Sequence, residues 1–138
     1  MNNLIFLNGG SILIDRLDHL VLTVANLAQT RAFYCEILGM RYEEFGEGRQ
    51  ALKFGSSKIN LHLAGHELSP RAHIAKPGTA DLCFIISGEL AAMQARLEAA
   101  GIGILEGPVT RTGARGSITS LYVRDPDLNL IELSVYDS

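Results

Sequence analysis

The chain has 138 residues, of which 47% are hydrophobic, and a formal net charge of −3. This length and composition are typical of one globular domain with a sizeable core. Its basic residues are dispersed, which excludes the usual electrostatic pattern of a nucleic-acid-binding protein. No apolar run reaches the length of a membrane span, so neither nucleic acid nor a membrane is an expected partner.

The cysteines and the first residues bear on the cellular setting. Two cysteines, Cys35 and Cys83, are too few for a disulfide framework. Cys35 falls in a helical pattern and Cys83 in an apolar strand pattern, so both are expected to be buried thiols, which suits a reducing, cytoplasmic setting. Residues 1–14 lack a basic region and a cleavage site, so we interpret them as an N-terminal arm, with an extra edge strand as the alternative.

The first half predicts a strand, a helix and three more strands. Residues 17–24, "LDHLVLTV", alternate at period two, as a strand does. Residues 26–39, "NLAQTRAFYCEILG", change to helical spacing, with Asn26 as the N-cap, Gln29 three residues later and Gly39 after the last turn. Short strands are predicted near 40–46, 49–55 and 58–64, separated by the turn-like segments "GEGR" and "GSSK".

The second half repeats this order of elements after a linker over 65–78, whose two histidines, His66 and His73, are expected to be solvated. "TADLCFII" predicts a strand, and "SGELAAMQARLEAAG" predicts a helix that Ser87 caps. The apolar stripe of that helix comprises Leu90, Met93 and Leu97. Further strands are predicted near 102–109, 117–124 and 129–136, with a tight "RDPDLN" turn before the last.

This duplication defines the predicted fold class as α+β. It consists of two tandem βαβββ modules whose curved mixed sheets surround a cleft. The single domain is expected to cover residues 15–136, with module one at about 15–64 and module two at about 79–136. In each predicted strand the bulky residues lie on one face, which can pack under the helices, and the lighter face can curve around a cavity.

Overlaying the halves places four residues of metal-ligand type at equivalent points. His19 falls on Asp81 in the first strands, and His62 falls on Glu132 in the last strands. Two imidazoles and two carboxylates suit a divalent ion. Each residue has an ordinary alternative: His19 a rim position, His62 a solvated strand position, Asp81 a turn cap or ion pair. Glu132 sits deepest in an apolar strand, where a carboxylate must be solvated, paired or metal-bound.

At these residues the sequence resembles a known family. "LDHLVLTVANLAQTRAFYCEILGM" is similar to the opening module of the vicinal oxygen chelate superfamily, and "LYVRDPDLNLIELSVY" resembles its closing strands. That superfamily includes glyoxalase I, extradiol dioxygenases, fosfomycin-resistance thiol transferases and bleomycin-resistance proteins. The segments "INLH" and "GPVTRTGARG" resemble a small glyoxalase- and dioxygenase-related group, some members of which are called virulence proteins.

The resemblance implies ligands for a divalent metal ion, either Mn, Ni, Zn or Fe. Glu132 matches the closing carboxylate ligand, His19 the opening histidine, and His62 the position of a glyoxalase ligand. Asp81 stands where relatives usually have a histidine, which disfavours iron-dependent ring cleavage. The family also implies a homodimer with shared sites, in which one subunit supplies His19 and His62 and the other supplies Asp81 and Glu132.

Two functions remain as hypotheses. The first is a metal-dependent enzyme, a glyoxalase-like lyase or a dioxygenase-like protein, that chelates two neighbouring oxygens of a small substrate. Glu132 would move the proton, with His62 as a second candidate base. Four further residues are candidates for contacting the substrate, with solvated arginines and a core tyrosine as the alternatives: Arg111, Thr112, Arg115 and Tyr122. The second hypothesis is a metal-free binding protein of the bleomycin-resistance type, which the low aromatic content of 7% disfavours.

Overall fold

The computed structural model describes residues 11–138, and within them no helix is long and apolar enough to cross a membrane. Residues 11–18 have no regular secondary structure, and the rest of the predicted arm lies outside the described residues. Two helices and eight strands follow in the duplicated order. Module one contains β1 (His19–Val24), α1 (Leu27–Arg31, continued by a π-helical turn Ala32–Ile37), β2 (Arg41–Phe45), β3 (Arg49–Phe54) and β4 (Ser57–Leu63). Module two contains β5 (Asp81–Ile85), α2 (Leu90–Ala99), β6 (Glu106–Gly113), β7 (Gly116–Arg124) and β8 (Leu130–Tyr136).

Each module forms one four-stranded mixed sheet, as the α+β prediction required. Sheet one has the order β1-β4-β3-β2 and sheet two the order β5-β8-β7-β6. In both sheets the first and last strands of the module pair in parallel, and the remaining pairs are antiparallel. Within residues 11–138, β1 and β5 are therefore edge strands with one unpaired side.

The core lies between the two sheets, where both helices pack. It combines Leu22, Leu52 and Ile59 of module one with Leu97, Leu121 and Ile131 of module two, all 5% exposed or less. Because side chains alternate along a strand, each sheet also has a face turned away from this core. We call these the open face of sheet one and the open face of sheet two.

A buried hydrogen-bond network joins the modules. The turn between β7 and β8 carries Asp125, whose Oδ2 accepts hydrogen bonds from Tyr34 Oη at 2.7 Å and Asn129 Nδ2 at 2.8 Å. Its Oδ1 accepts from two backbone N–H groups at 2.9 Å. Burial, together with the nearby carboxylates of Asp125 and Asp127, raises the pKa of Tyr34 well above its usual range, so the phenol stays a donor. In addition, Asp127 Oδ1 accepts from the backbone N–H of Ala25 at 3.1 Å.

The local structure corrects several sequence predictions. The first helix is regular only to Arg31, and the wider π-turn after it directs both Phe33 and Tyr34 into the core. Asn26 caps that helix as predicted, since its Oδ1 accepts from Gln29 N. The prediction that Ser87 caps the second helix is wrong. Gly88 adopts a φ of +86°, which turns the chain there, and Glu89 occupies the N-cap without a side-chain bond.

Two other predictions also fail locally. Strand β6 begins at Glu106 rather than near 102, and it includes Arg111 and Thr112, which the sequence placed in a loop insertion. The added length of the second module is therefore strand, and the turn falls between Gly113 and Gly116.

Cys83 is an exposed free thiol, not a buried one, because it lies on the open face of sheet two. Cys35 is half-buried and also free.

Candidate metal and substrate site

His19 stands at the start of β1 on the open face of sheet one. Its Nδ1 lies 2.7 Å from Asp18 Oδ2, a hydrogen bond that lowers the pKa of the Asp18 carboxyl. If the imidazole donates from Nδ1, its Nε2 keeps a free lone pair. Metal-binding histidines are commonly oriented by a carboxylate in this way. Asp18 is not among the predicted site residues, although its position directly before His19 is a signal for such pairing.

Glu132 lies on the open face of sheet two, half-buried, and is oriented by hydroxyl groups. Ser120 Oγ donates to Glu132 Oε2 at 2.6 Å, and Ser134 Oγ lies 3.4 Å from the same oxygen. Both serines are fully buried and lie 2.6 Å apart, and Cys83 Sγ lies 3.3 Å from Ser134 Oγ. Because an ionised carboxylate only accepts, Ser120 donates to Glu132 and Ser134 donates to Ser120. The arrangement fixes Oε2 and leaves Oε1 available for a ligand.

Asp81 begins β5 and is exposed on the same open face as Glu132. In the parallel pair β5–β8, Asp81 is level with Leu130, and Glu132 is two residues further along. In the pair β1–β4, His19 is level with Lys58, and the residue two further along is Asn60. Asn60 is therefore the structural counterpart of Glu132.

This register corrects the predicted overlay of His62 on Glu132, which is wrong by two residues. His62 is level with Thr23, four residues along the strand from His19, and its counterpart in module two is Ser134. Four residues of strand span about 13 Å, a long separation for two ligands of one ion on a single face. The role of His62 as a ligand stays a prediction, and the register favours Asn60 at the equivalent position.

Within one chain the four predicted ligands are not brought together. Among residues 11–138 no three side chains of His, Cys, Asp or Glu are close enough to bind one metal ion. The reason is topological: His19 lies on the open face of sheet one, Asp81 and Glu132 lie on the open face of sheet two, and the shared core separates these faces.

His62 and Asn60 are two of four described residues, with Thr30 and Asp127, that have a buried polar atom without a partner, and they are the two that lie on an open face. Their side chains are 8% and 5% exposed, yet His62 Nε2 and Asn60 Oδ1 are buried without a hydrogen-bond partner in the described part of the chain. Burial, and secondarily the charge of Arg49, lowers the pKa of His62, so its imidazole is neutral near pH 7. Since buried polar atoms are seldom unpaired, this pair marks a position where a ligand is expected.

The predicted substrate residues of module two line a cleft of about 480 Å³ beside Glu132. Arg111 Nε donates to Tyr122 Oη at 3.1 Å, and Arg111 Nη2 pairs with Glu106 at 3.0 Å. Burial raises the pKa of Tyr122, and the adjacent Glu132 carboxylate raises it further, while the hydrogen bond from Arg111 opposes both, so the hydroxyl keeps its proton beside Glu132. Tyr122 is level with Glu132 on the neighbouring strand.

Thr112 also lines this cleft, whereas Arg115 lies at the exposed tip of the β6–β7 hairpin. The guanidinium of Arg115 is 4.4 Å from the ring centre of Tyr136, another residue of the cleft. Arg115 is thus a surface residue at the rim, while Arg111 is half-buried and orients Tyr122. The pairing of Arg111 with Tyr122 could not be inferred from the sequence, which placed the arginine in a loop.

Comparison with known proteins now defines the class. Residues 16–133 match the model of the Glyoxalase/Bleomycin resistance protein/Dioxygenase superfamily. The chain therefore belongs to this superfamily, also called the vicinal oxygen chelate superfamily.

Two curated relatives are similar over most of their length. The chain is 55% identical over 123 residues to the glyoxalase domain-containing protein RDO1 of Mycosarcoma maydis, covering 89% of this chain and 69% of that protein. It is 52% identical over 125 residues to the virulence protein STM3117 of Salmonella typhimurium, and the match covers 91% of this chain and 87% of that protein. The crystal structure of STM3117 superposes with a TM-score of 0.89 over 91% of this chain and all of that one. An integron cassette protein of V. cholerae is 52% identical in sequence. Its structure superposes with a TM-score of 0.89 over 93% of this chain and all of its own chain.

Proposed function

We propose that the chain is a metal-dependent enzyme of the glyoxalase-like type, acting on a small substrate with two neighbouring oxygen atoms. The observation that carries this proposal is the orientation of two candidate ligands. Asp18 holds Nδ1 of His19, and Ser120 holds Oε2 of Glu132, so each side chain keeps one donor atom free. Such orienting partners are common around metal ligands; His19 and Asp18 are exposed in the single chain, and Glu132 is half-buried.

The donor set fits a divalent ion. His19, Asp81 and Glu132 offer one imidazole and two carboxylates, a mixed nitrogen and oxygen set that Mn, Ni, Zn and Fe accept. Asn60 or His62 would complete it. When bound, such an ion would act as a Lewis acid toward neighbouring oxygens of the substrate.

The chain's own groups have distinct tasks in this proposal. The carboxylate of Glu132 moves a proton of the substrate, and Ser120 keeps it in one orientation during that transfer. The hydroxyl of Tyr122, which accepts from Arg111, donates its hydrogen bond to a substrate oxygen on which negative charge develops. His62, neutral and buried, is the second candidate base. The position of Asp81, an oxygen ligand, favours proton transfer over iron-dependent ring cleavage.

The proposed site is shared between two copies of the chain. Members of this superfamily often dimerise and act on small molecules. The open face of sheet one carries four basic side chains and one carboxylate, and the open face of sheet two carries three carboxylates and two arginines. These charges are complementary, and β1 and β5 are edge strands beside which a second copy can lie. A two-fold dimer would contain two identical clefts.

Mixing two inactive variants tests the shared site. The variants His19→Gln and Glu132→Gln are each expected to lose more than 90% of bound metal after loading with Mn, Ni, Zn or Fe. A mixed dimer would contain one doubly altered cleft and one intact cleft, so refolding equal amounts of the two together should restore about a quarter of the metal binding of the unaltered protein. The control His73→Asn, an exposed linker histidine, should bind as the unaltered protein does.

Two results would contradict the proposal. If the mixture binds no more metal than the separate variants, each site lies within one chain. If the unaltered protein remains metal-free after loading, and chelators leave ligand binding unchanged, the alternative of a metal-free binding protein is supported.

A further inference from the structure

The open face of sheet one is rich in basic side chains. Its four cationic residues come from three strands: Arg41, Arg49, Lys53 and Lys58. Among the strand residues that the structure describes, this face has one carboxylate, Glu43, which pairs with Lys53 at 3.2 Å. Most of the positive charge on this face is therefore not neutralised by the face itself.

Two of these cations converge on one aromatic ring. Lys58 Nζ lies 3.8 Å and the guanidinium of Arg49 lies 4.6 Å from the ring centre of Phe45. Within residues 11–138, neither cation has a carboxylate within salt-bridge distance. Two neighbouring like charges repel each other, and the ring compensates only part of that cost. An anion that contacts both cations would offset the repulsion.

Arg49 also lines a cavity of about 210 Å³ together with Asn60 and His62. These two residues hold the unpartnered Oδ1 and Nε2 atoms described above. The cavity contains one acidic residue, Glu47, at its exposed rim. Arg49 thus lines one cavity with Asn60 and His62, and it links this cavity to Lys58, which lies outside the cavity lining, through their shared contact with Phe45.

We propose that Arg49 and Lys58 form a subsite for an anionic group of the substrate, a carboxylate or a phosphate, distinct from the two oxygens that the metal would chelate. This inference rests on the proposed function for the chelating end. In the shared cleft, the partner copy would supply Asp81 and Glu132, and this copy would supply the anion subsite. The substrate class is then an oxygenated acid with a second, distal negative charge.

Three 2-hydroxy acids provide matched probes. 2-Hydroxybutyrate has only the chelating pair, malate adds a distal carboxylate, and 3-phosphoglycerate adds a distal phosphate. Calorimetric titration of the metal-loaded protein should show malate or 3-phosphoglycerate binding at least about ten-fold tighter than 2-hydroxybutyrate, as charge-assisted hydrogen bonds predict. Tighter binding of malate would identify the preferred anionic group as a carboxylate, and tighter binding of 3-phosphoglycerate would identify it as a phosphate.

The variants Arg49→Gln and Lys58→Gln should each remove most of that ten-fold preference and leave 2-hydroxybutyrate binding unchanged. Lys53→Gln is the matched control, because Lys53 is on the same face but already paired with Glu43, and it should keep the preference. Equal affinity for all three probes, or an unchanged preference in both variants, overturns the subsite.

A failure of the proposed function is distinguishable from a failure of this subsite. If no 2-hydroxy acid binds the metal-loaded protein, the chelating function fails. The metal-free protein is then titrated with inorganic phosphate. Saturable binding that Arg49→Gln abolishes and Lys53→Gln retains supports the anion subsite, and absence of binding overturns it.

Discussion

The two modules share one topology but present different chemistry on their open faces. Sheet one offers basic side chains and two buried, unpartnered polar groups, whereas sheet two offers carboxylates held by hydroxyl groups. The cores are alike, since both sheets direct branched apolar residues toward the helices. Duplication therefore preserved the packing side of each sheet, where volume and shape are constrained, and left the other side free to differ.

In the proposed shared site, this difference would make each open face insufficient by itself. The carboxylates of sheet two attract a cation but provide no positive charge for an anionic substrate beyond Arg111 and Arg124, and Arg111 is paired with Glu106. Sheet one instead carries mainly basic side chains, which attract an anion rather than a cation. Joining the open face of sheet one from one copy to that of sheet two from another would combine cation binding and anion binding in each cleft.

The largest expected effect concerns the buried network around Asp125, one of the contacts that join the modules. Replacing Asp125 by Ala would leave Tyr34, Asn129 and two backbone N–H groups without their acceptor in a buried position. We expect the free energy of unfolding to fall by about 4 kcal/mol, measured by urea denaturation. In module one the corresponding turn, 55–56, makes no such contact in the described structure.

Asp137→Ala serves as the control for this change. Asp137 is exposed and accepts hydrogen bonds from Ser117 and Thr119 near the end of the chain. Its loss should cost below about 1 kcal/mol. Equal destabilisation by both variants would mean that the buried network does not join the modules.

A smaller effect is expected from the hydroxyl support of Glu132. Ser120→Ala removes the 2.6 Å hydrogen bond to Oε2, so the carboxylate becomes free to rotate. We expect metal affinity to fall about ten-fold, measured by competition with a chromophoric chelator, while circular dichroism stays unchanged.

Ser117→Ala is the matched control because Ser117 lies on the same strand but bonds Asp137 instead. It should keep the affinity of the unaltered protein. An affinity of Ser120→Ala equal to that of Ser117→Ala would show that Ser120 has no positioning role.

The smallest effect concerns His62, whose counterpart in module two, Ser134, does not titrate near neutral pH. Burial lowers the pKa of His62 below its ordinary value of 6.5, so the unfolded chain binds the proton more readily. The stability linked to this group is full above pH 6.5 and is lost as the pH falls through the folded-state pKa. In metal-free protein, His62→Asn should therefore flatten the decline in stability between pH 7 and pH 5. If His73→Asn flattens it equally, the effect is not specific to the buried site.

The sequence alone determined the duplicated order of elements. Period-two alternation located the strands, and helical spacing with Asn26 located the first helix, because these signals depend on near neighbours in the chain. The identity of His19, Asp81 and Glu132 as candidates also came from the sequence, through their place in equivalent strands and the family resemblance.

Only the tertiary structure decided the register. Whether Asn60 or His62 is the counterpart of Glu132 depends on which residues of two distant strands are level, and a shift of two residues leaves the alternation pattern unchanged. The same holds for Ser120 beneath Glu132, and for Arg49 and Lys58 around Phe45. Such contacts join residues of separate strands, so local sequence could not specify them, and the pairing of strands in each sheet fixed them.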